Sequence, residues 1–303
     1  MADMAVSFAG ISFKNPVVTV SGTFGFGREY GEMYDLAELG GVCAKGLTLR
    51  PRLGNRPPRV AETPSGMLNS VGLQNPGVDT FISEELPYLK ASGTRVIANI
   101  SGGAPDEYAA AAKKLSSAGV DMIEINISCP NVNAGGIAFG TDCSAAAEVT
   151  SAVKSVSEVP VMVKLSPNVT DITAIATAVA DAGADALSLI NTLIGMRINI
   201  ETRHPILANN TGGLSGPAVF PVAVRMVNQV RAAVDLPILG MGGIASGEDA
   251  VEMMLAGADL VGVGTACFTD PFAPIKIRDG IEGYLDRKGI HSAAEISGKV
   301  ILN

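Results

Sequence analysis

Asp121-Met122-Ile123-Glu124-Ile125-Asn126-Ile127 alternates apolar side chains and then breaks into Ser128-Cys129-Pro130-Asn131-Val132-Asn133-Ala134-Gly135-Gly136. The first half has the pattern of a buried strand, and the second has the turn chemistry of a loop. The predicted unit is a strand whose C-terminal end opens into a polar loop. In parallel α/β proteins ligands bind at that end. A thiol and three amide side chains there point to a nucleophile or general base facing a polar, planar substrate.

Seven more stretches read as strands of the same kind, at 17–20, 42–45, 96–100, 161–164, 186–190, 238–241 and 260–263, with the eighth at 122–126. Ala-rich, helix-periodic segments separate them. Eight strands in such alternation predict a single (β/α)8 barrel domain over residues 1–303, with a doubly wound sheet as the alternative. Ala-Gly-Ala-Asp occurs at 182–185 and again at 256–259, each time just before a strand. It suits a helix ending at glycine and a tight turn into the strand. Residues 4–13, with Ala9-Gly10 at their centre, read as a β-hairpin preceding the barrel and closing its bottom. The connections 46–76 and 191–216 exceed simple βα loops and should rise over the C-terminal face, where long loops tend to be functional.

Composition narrows the class. With 47% hydrophobic and only 17% charged residues, the chain can bury a large core. No apolar run approaches the ~18 residues of a membrane span, and the N-terminus lacks a basic region followed by an apolar one. A soluble, cytoplasmic protein is expected. Net charge −8 argues against general nucleic-acid affinity, though not against a small anion held by local cations. Cys43, Cys129, Cys143 and Cys267 are scattered, and His204 and His291 are the sole histidines. That pattern disfavours zinc and iron–sulfur sites and fits a reducing compartment with one reactive thiol.

Gly240-Met241-Gly242-Gly243-Ile244 follows the seventh strand, and Val261-Gly262-Val263-Gly264-Thr265 closes the eighth. Glycines at these two places let backbone N–H groups approach a phosphate, and the bland reading is tight turns alone. Lys45 and Lys164 end strands and should point into the barrel mouth, where a cation needs an anion. Snorkelling to the surface is the bland reading, and a Schiff-base role for Lys164 stays open. Asn69, Asn75, Asn99, Asn126, Asn131 and Asn191 recur at strand ends or in the long loops. Converging amides suit a heterocycle edge, although a lone loop asparagine is usually a turn residue. Cys43 and Cys267 fit buried apolar positions, Cys129 fits an exposed loop, and Cys143 is undecided. No serine-hydrolase, zincin or Walker motif occurs.

Taken together, Asn126-Ile-Ser-Cys-Pro-Asn131, the run 69–77 (Asn-Ser-Val-Gly-Leu-Gln-Asn-Pro-Gly), Val163-Lys-Leu-Ser-Pro-Asn168, Leu189-Ile-Asn-Thr-Leu-Ile-Gly-Met196 and Thr211-Gly-Gly-Leu-Ser-Gly216 resemble the dihydroorotate dehydrogenases. The likeness runs in order along nearly the whole chain. Ser21-Gly-Thr-Phe-Gly-Phe-Gly27 and Asn131-Val-Asn-Ala-Gly-Gly136 look like the class 1B catalytic subunit rather than the fumarate-using class 1A. Class 2 members carry serine as base, where this chain has Cys129.

The resemblance implies FMN across the barrel mouth, its phosphate on Gly216, Gly242, Gly243, Gly264 and Thr265. Ser21, Lys45, Gly46, Asn99, Asn126 and Ile190 match further flavin contacts. Lys164 would stabilise the negative charge of reduced flavin, which displaces the Schiff-base option. Substrate contacts are implied for Lys45, Asn69, Ser70, Val71, Gly72, Leu73, Asn126, Asn131, Asn191 and Thr192. Cys129 would take the C5 proton of dihydroorotate while hydride leaves C6 for flavin N5. The family also implies a homodimeric core and a partner subunit carrying FAD and a [2Fe–2S] cluster, which passes electrons to NAD. This chain has neither a four-cysteine cluster nor a dinucleotide fingerprint, in keeping with those cofactors residing elsewhere. Three rivals stay in play: a flavin barrel acting on another dihydropyrimidine, a flavin-free lyase or isomerase barrel, and a catalytically silent binding module.

Overall fold

The structure, a computed structural model, describes residues 2–127 and 136–303. Eight parallel strands close into a barrel: Val17–Thr19 (β1), Gly41–Cys43 (β2), Arg95–Ile100 (β3), Met122–Asn126 (β4), Val161–Lys164 (β5), Ala186–Leu189 (β6), Ile238–Met241 (β7) and Leu260–Val263 (β8). Their order around the barrel is their order in the chain, with β8 pairing β1. Most strand residues are buried on both faces, which is why the strands read as short apolar runs. The doubly wound alternative is thereby excluded. Predicted strands 17–20, 42–45 and 186–190 run slightly past the ladder, because their last residues leave it at the mouth.

The outer helices follow from spacing and caps. Ile172–Asp181 buries Ile172, Ile175, Ala176 and Val179, one stripe at the 3.6-residue period, and Asp171 caps it through the Thr173 N–H at 2.9 Å. Gly247–Ala256 opens on a reciprocal capping box between Ser246 and Asp249 and stops at Gly257, whose φ of 136° suits only glycine.

Both Ala-Gly-Ala-Asp repeats end in the same device, and a third aspartate shares it. Asp121, Asp185 and Asp259 each stand just before an even-numbered strand. Each accepts the backbone N–H of the preceding strand: Val96 at 2.9 Å, Val161 at 2.7 Å and Ile238 at 2.8 Å. Arg95, Lys154 and Arg231 pair with them. These clamps sit at the N-terminal end of the barrel, the end associated with stability. Asp259→Ala leaves the Ile238 N–H without this acceptor and removes the ion-pair partner of Arg231, which keeps the Gly257 and Leu236 carbonyls. Unfolding free energy should therefore fall by about 1–3 kcal/mol. Urea unfolding followed by circular dichroism checks this, and an unchanged midpoint would mean that water replaces the carboxylate.

The predicted hairpin is Val6–Phe8 with Ile11–Phe13. Its two turn residues, Ala9 (φ 49°) and Gly10 (φ 81°), both take positive φ, as a two-residue turn matching strand twist requires. Phe8 and Phe13 are fully buried and meet edge to face. Phe13 packs on Gly41, while Arg95 Nε donates to the Ser12 carbonyl at 3.0 Å. Gly41 and Arg95 begin β2 and β3, so the hairpin closes the bottom as expected.

The two long connections hold more order than their sequences suggest. They jointly build a four-stranded antiparallel sheet in the order Leu193–Gly195, Gly212–Ser215, Gly66–Asn69, Val60–Thr63. Strands from chain segments over a hundred residues apart thus pair above the mouth. Among the described residues, no helix is long and apolar enough to cross a membrane.

Candidate active site

A cavity opens at the C-terminal mouth, roofed by the four-stranded sheet. Every barrel strand end but that of β3 supplies a wall residue. Ser21 follows β1, Lys45 and Gly46 follow β2, Asn126 ends β4 and Lys164 ends β5. Ile190, Asn191 and Thr192 follow β6, Gly242 and Gly243 follow β7, and Gly264 and Thr265 follow β8. Asn69, Val71, Gly72 and Leu73 come in from the first long connection. The sequence-predicted residues therefore converge on one place from distant parts of the chain. Cys129 and Asn131 lie outside the described residues.

Three predicted contacts do not line the cavity. Asn99 is fully buried on β3, and its Nδ2 donates to Glu124 Oε2. Its Oδ1 has no hydrogen-bond partner and lies 2.7 Å from the position a Cβ would take on Gly46. It stands one layer behind the wall. Ser70 is also fully buried, and its backbone works as a latch: its N–H donates to the Arg59 carbonyl at 2.7 Å and its carbonyl accepts from Asn55 Nδ2 at 2.9 Å. Gly216 backs Gly243, with its carbonyl oxygen 2.7 Å from where the Gly243 Cβ would be.

The amide cluster divides as well. Asn75 is a turn residue: its Oδ1 accepts from the N–H groups of Thr48 (3.1 Å) and Gly77 (2.9 Å), and its Nδ2 donates to the Leu73 carbonyl (2.7 Å). The bland reading wins there, because the side chain is consumed in holding the substrate-side loop. Asn69, Asn126 and Asn191 do reach the cavity.

The glycines meet the tight-turn reading, and their backbone is compatible with the other. Gly242 and Gly243 hold φ of 125° and 82°, a conformation that side chains resist. A Cβ on Gly264 would come within 2.8 Å of Val20. Packing alone thus demands glycine, and the result is a wall of bare backbone facing the cavity after β7 and β8. Such backbone can present peptide N–H groups to an anion.

Charge inside the barrel is concentrated. Lys45 and Lys164 both line the cavity, and Lys164 is only 5% exposed. Beneath them Glu124, fully buried on β4, accepts from Cys43 Sγ (3.3 Å) and Ser188 Oγ (2.7 Å) as well as from Asn99. Burial pushes the Cys43 thiol well above its usual range, Glu124 adds to that shift and Lys164 opposes it. Burial likewise raises Cys267 to about 12. Both are inert thiols, as their sequence positions suggested. Cys143 is exposed at the start of the helix Cys143–Lys154. Among the described residues, no cluster of His, Cys, Asp and Glu could hold a metal.

Sequence reasoning missed several wall residues. Thr23 and Ser215 lay within the quoted motifs and could have been found there. Met67 and Phe268 carry no local signal. Glu124 was legible in principle, because it shares strand parity with Asn126 and so must point the same way.

Fold and cavity together define a (β/α)8-barrel enzyme with its ligand site at the C-terminal mouth, walled by glycine backbone and two lysines. The chain belongs to the dihydroorotate dehydrogenase family, whose model (Dihydroorotate dehydrogenase) matches residues 3–285. The catalytic subunit of dihydroorotate dehydrogenase B (NAD(+)) from Alkaliphilus metalliredigens is 57% identical over 298 residues, covering 98% of this chain and 99% of that protein. The subunit of the same name from Geobacter sp. is 56% identical, covering 99% of each chain. That from Listeria innocua is 54% identical over the full length of both.

Proposed function

We propose that the chain is the FMN-bearing catalytic subunit of a class 1B dihydroorotate dehydrogenase. It oxidises (S)-dihydroorotate to orotate in de novo pyrimidine (UMP) biosynthesis. The observation that carries the reading is convergence: residues from seven strand ends and one long connection, all expected to hold flavin or substrate, wall a single cavity. Full-length relatives named dihydroorotate dehydrogenase B (NAD(+)), catalytic subunit, support it.

The cavity suits FMN on its own chemistry. Bare backbone after β7 and β8 offers a phosphate seat. The unpartnered Asn99 Oδ1 behind Gly46 is a buried acceptor in need of a donor. In the proposed assignment Gly216, Gly242, Gly243, Gly264 and Thr265 hold the phosphate, with Gly216 acting through the backbone of Gly243. Ser21, Lys45, Gly46, Asn99, Asn126, Lys164 and Ile190 hold the rest of the cofactor.

FMN, when bound, supplies the hydride acceptor. The chain's own residues bind and orient the substrate and move a proton. Lys45 offers its ammonium to the substrate carboxylate. Asn69, Asn126, Asn131, Asn191 and Thr192 hydrogen-bond its carbonyls and ring nitrogens, and residues 70–73 shape the pocket edge. Cys129 takes the proton from C5. A thiol with an unperturbed pKa near 8.5 needs only modest tuning for that task. Lys164 places positive charge where negative charge grows during the reaction.

Residues 1–303 form one FMN-binding barrel unit in this reading. Two copies make a homodimeric core, and each engages an electron-transfer subunit with FAD and [2Fe–2S] that delivers electrons to NAD. The assembly works in the cytoplasm.

Anaerobic titration of the purified protein with dihydroorotate, followed by visible absorbance, tests the reading. Bleaching of a yellow protein is expected. Colour that persists would move the substrate to another dihydropyrimidine. A colourless protein that cannot be reconstituted with FMN would leave the flavin-free lyase or isomerase reading in possession.

A further inference from the structure

Small barrels fill their interiors with Val, Ile and Leu. The layer directly below this cavity is instead polar, and a carboxylate sits at its centre. Glu124 on β4 accepts from Cys43 on β2, from Asn99 on β3 and from Ser188 on β6. Neither β2 nor β6 adjoins β4, so these bonds run through the barrel interior. A carboxylate at 0% exposure is costly, on the order of several kcal/mol before compensation. An apolar residue would pack the same space without that cost, so stability alone does not account for Glu124.

Strand register relates this carboxylate to the cavity floor. Lys164 pairs with Asn126 on one side and with Ser188 on the other. Glu124 pairs with Met162, two residues deeper, which is about 7 Å along the strand. Yet Ser188, level with Lys164, donates to Glu124 Oε1 at 2.7 Å. The carboxylate therefore reaches up to the layer of the lysine. Cys43, which bonds to Glu124, feels both groups with opposite sign.

We infer that Glu124 is a positioning residue for the cofactor site: a buried negative charge under Lys164 that offsets the field the lysine presents to a flavin, and so tunes how strongly reduced flavin is held relative to oxidised. The inference rests on the FMN reading above. Glu124 does not line the cavity, so it acts through Lys164 and Asn99. Asn99 is the second route. It spends its Nδ2 on Glu124, which leaves its Oδ1 turned toward Gly46 and the cavity wall.

The test is a pair of variants in the full chain, Glu124→Gln and Ser188→Ala, with the two-electron flavin potential measured for each. Glu124→Gln removes the charge and keeps the shape: its amide oxygen can still accept from Asn99 Nδ2 and its amide nitrogen can donate to Ser188 Oγ, which leaves Asn99 Oδ1 toward Gly46. Without the opposing charge, reduced flavin should gain at least tenfold in relative affinity, an upward shift of about 30 mV. Ser188→Ala keeps the charge but strips one donor from it, so the potential should fall. A role confined to packing predicts no such opposition of sign. An unchanged or lowered potential in Glu124→Gln overturns the inference. Should that variant not fold, an unchanged potential in Ser188→Ala does the same. A wild-type protein that holds no FMN would defeat the functional reading, a separate and distinguishable failure.

Discussion

Replacing Cys129 with serine should slow reduction of the bound flavin by dihydroorotate by about 10²–10⁴-fold, the usual weight of a general base. The physical reason is proton affinity and its match to working pH. A thiol with a pKa near 8.5 is partly ionised at neutral pH, whereas a serine hydroxyl has no comparable anion available there. In the chain Cys129 comes three residues after Asn126, the last residue of β4, and Asn126 lines the cavity. The other cysteines are poor substitutes: Cys43 and Cys267 are buried with raised pKa values, and Cys143 borders a different cleft. FMN content should be unaffected, since the proposed flavin contacts lie on other residues. Stopped-flow mixing under anaerobic conditions reads the rate directly. A variant reduced as fast as wild type would remove Cys129 from the mechanism.

A second large effect is expected at Gly243. Its φ is 82°, and a Cβ there would lie 2.7 Å from the Gly216 carbonyl oxygen and 3.0 Å from the Phe220 nitrogen. Both obstacles are backbone, so no side-chain rotation relieves them. Gly243→Ala must move the loop after β7, and a shift near 1 Å at a binding wall can cost on the order of 100-fold. The variant should purify colourless and take up FMN at least about 100-fold more weakly. Gly93→Ala is the control. It has a similar φ of 72° with nothing within 4 Å of its Cβ, so it carries strain alone, about 1–2 kcal/mol, and should stay yellow. Reconstitution with FMN, followed by quenching of flavin fluorescence, measures both. Equal affinity for wild type and Gly243→Ala would show that the phosphate seat lies elsewhere.

The competing readings part at the same observations. A flavin-free sugar-phosphate barrel would use the glycine wall but has no need of Asn69, Asn126 and Asn191 around one cavity. A silent binding module has no need of two lysines on that wall, since placing cations there carries a desolvation cost. A barrel for another dihydropyrimidine shares nearly everything, and the run 69–77 together with Lys45 is what favours a carboxylated substrate in the proposed assignment.

Much of this protein was legible along the chain because its strands are local signals. A barrel strand is buried on both faces, so it appears as a short apolar run, and eight such runs in alternation with helical segments leave few topologies. The site residues at strand ends were legible for the same reason: whatever follows a strand's C-terminal end must face the mouth. Lys45, Lys164 and the glycines after β7 and β8 were placed by that rule alone. The hairpin turn at Ala9-Gly10 was equally local.

Only the folded chain decided what depends on distant partners. The sheet joining 60–69 to 193–215 has no local signature, because its register comes from pairing across more than a hundred residues. Asn75 and Asn69 look alike in sequence, yet one is spent on Thr48 and Gly77 while the other reaches the cavity. Ser70, Asn99 and Gly216 were expected at the ligand and do not line the cavity, since sequence tells which end of a strand a residue occupies but not how many layers separate it from the surface. Glu124 is the sharpest case. Periodicity alone shows that it faces inward, but its meaning comes from Cys43, Asn99, Ser188 and the level of Lys164, four residues on four other strands that only barrel closure brings together.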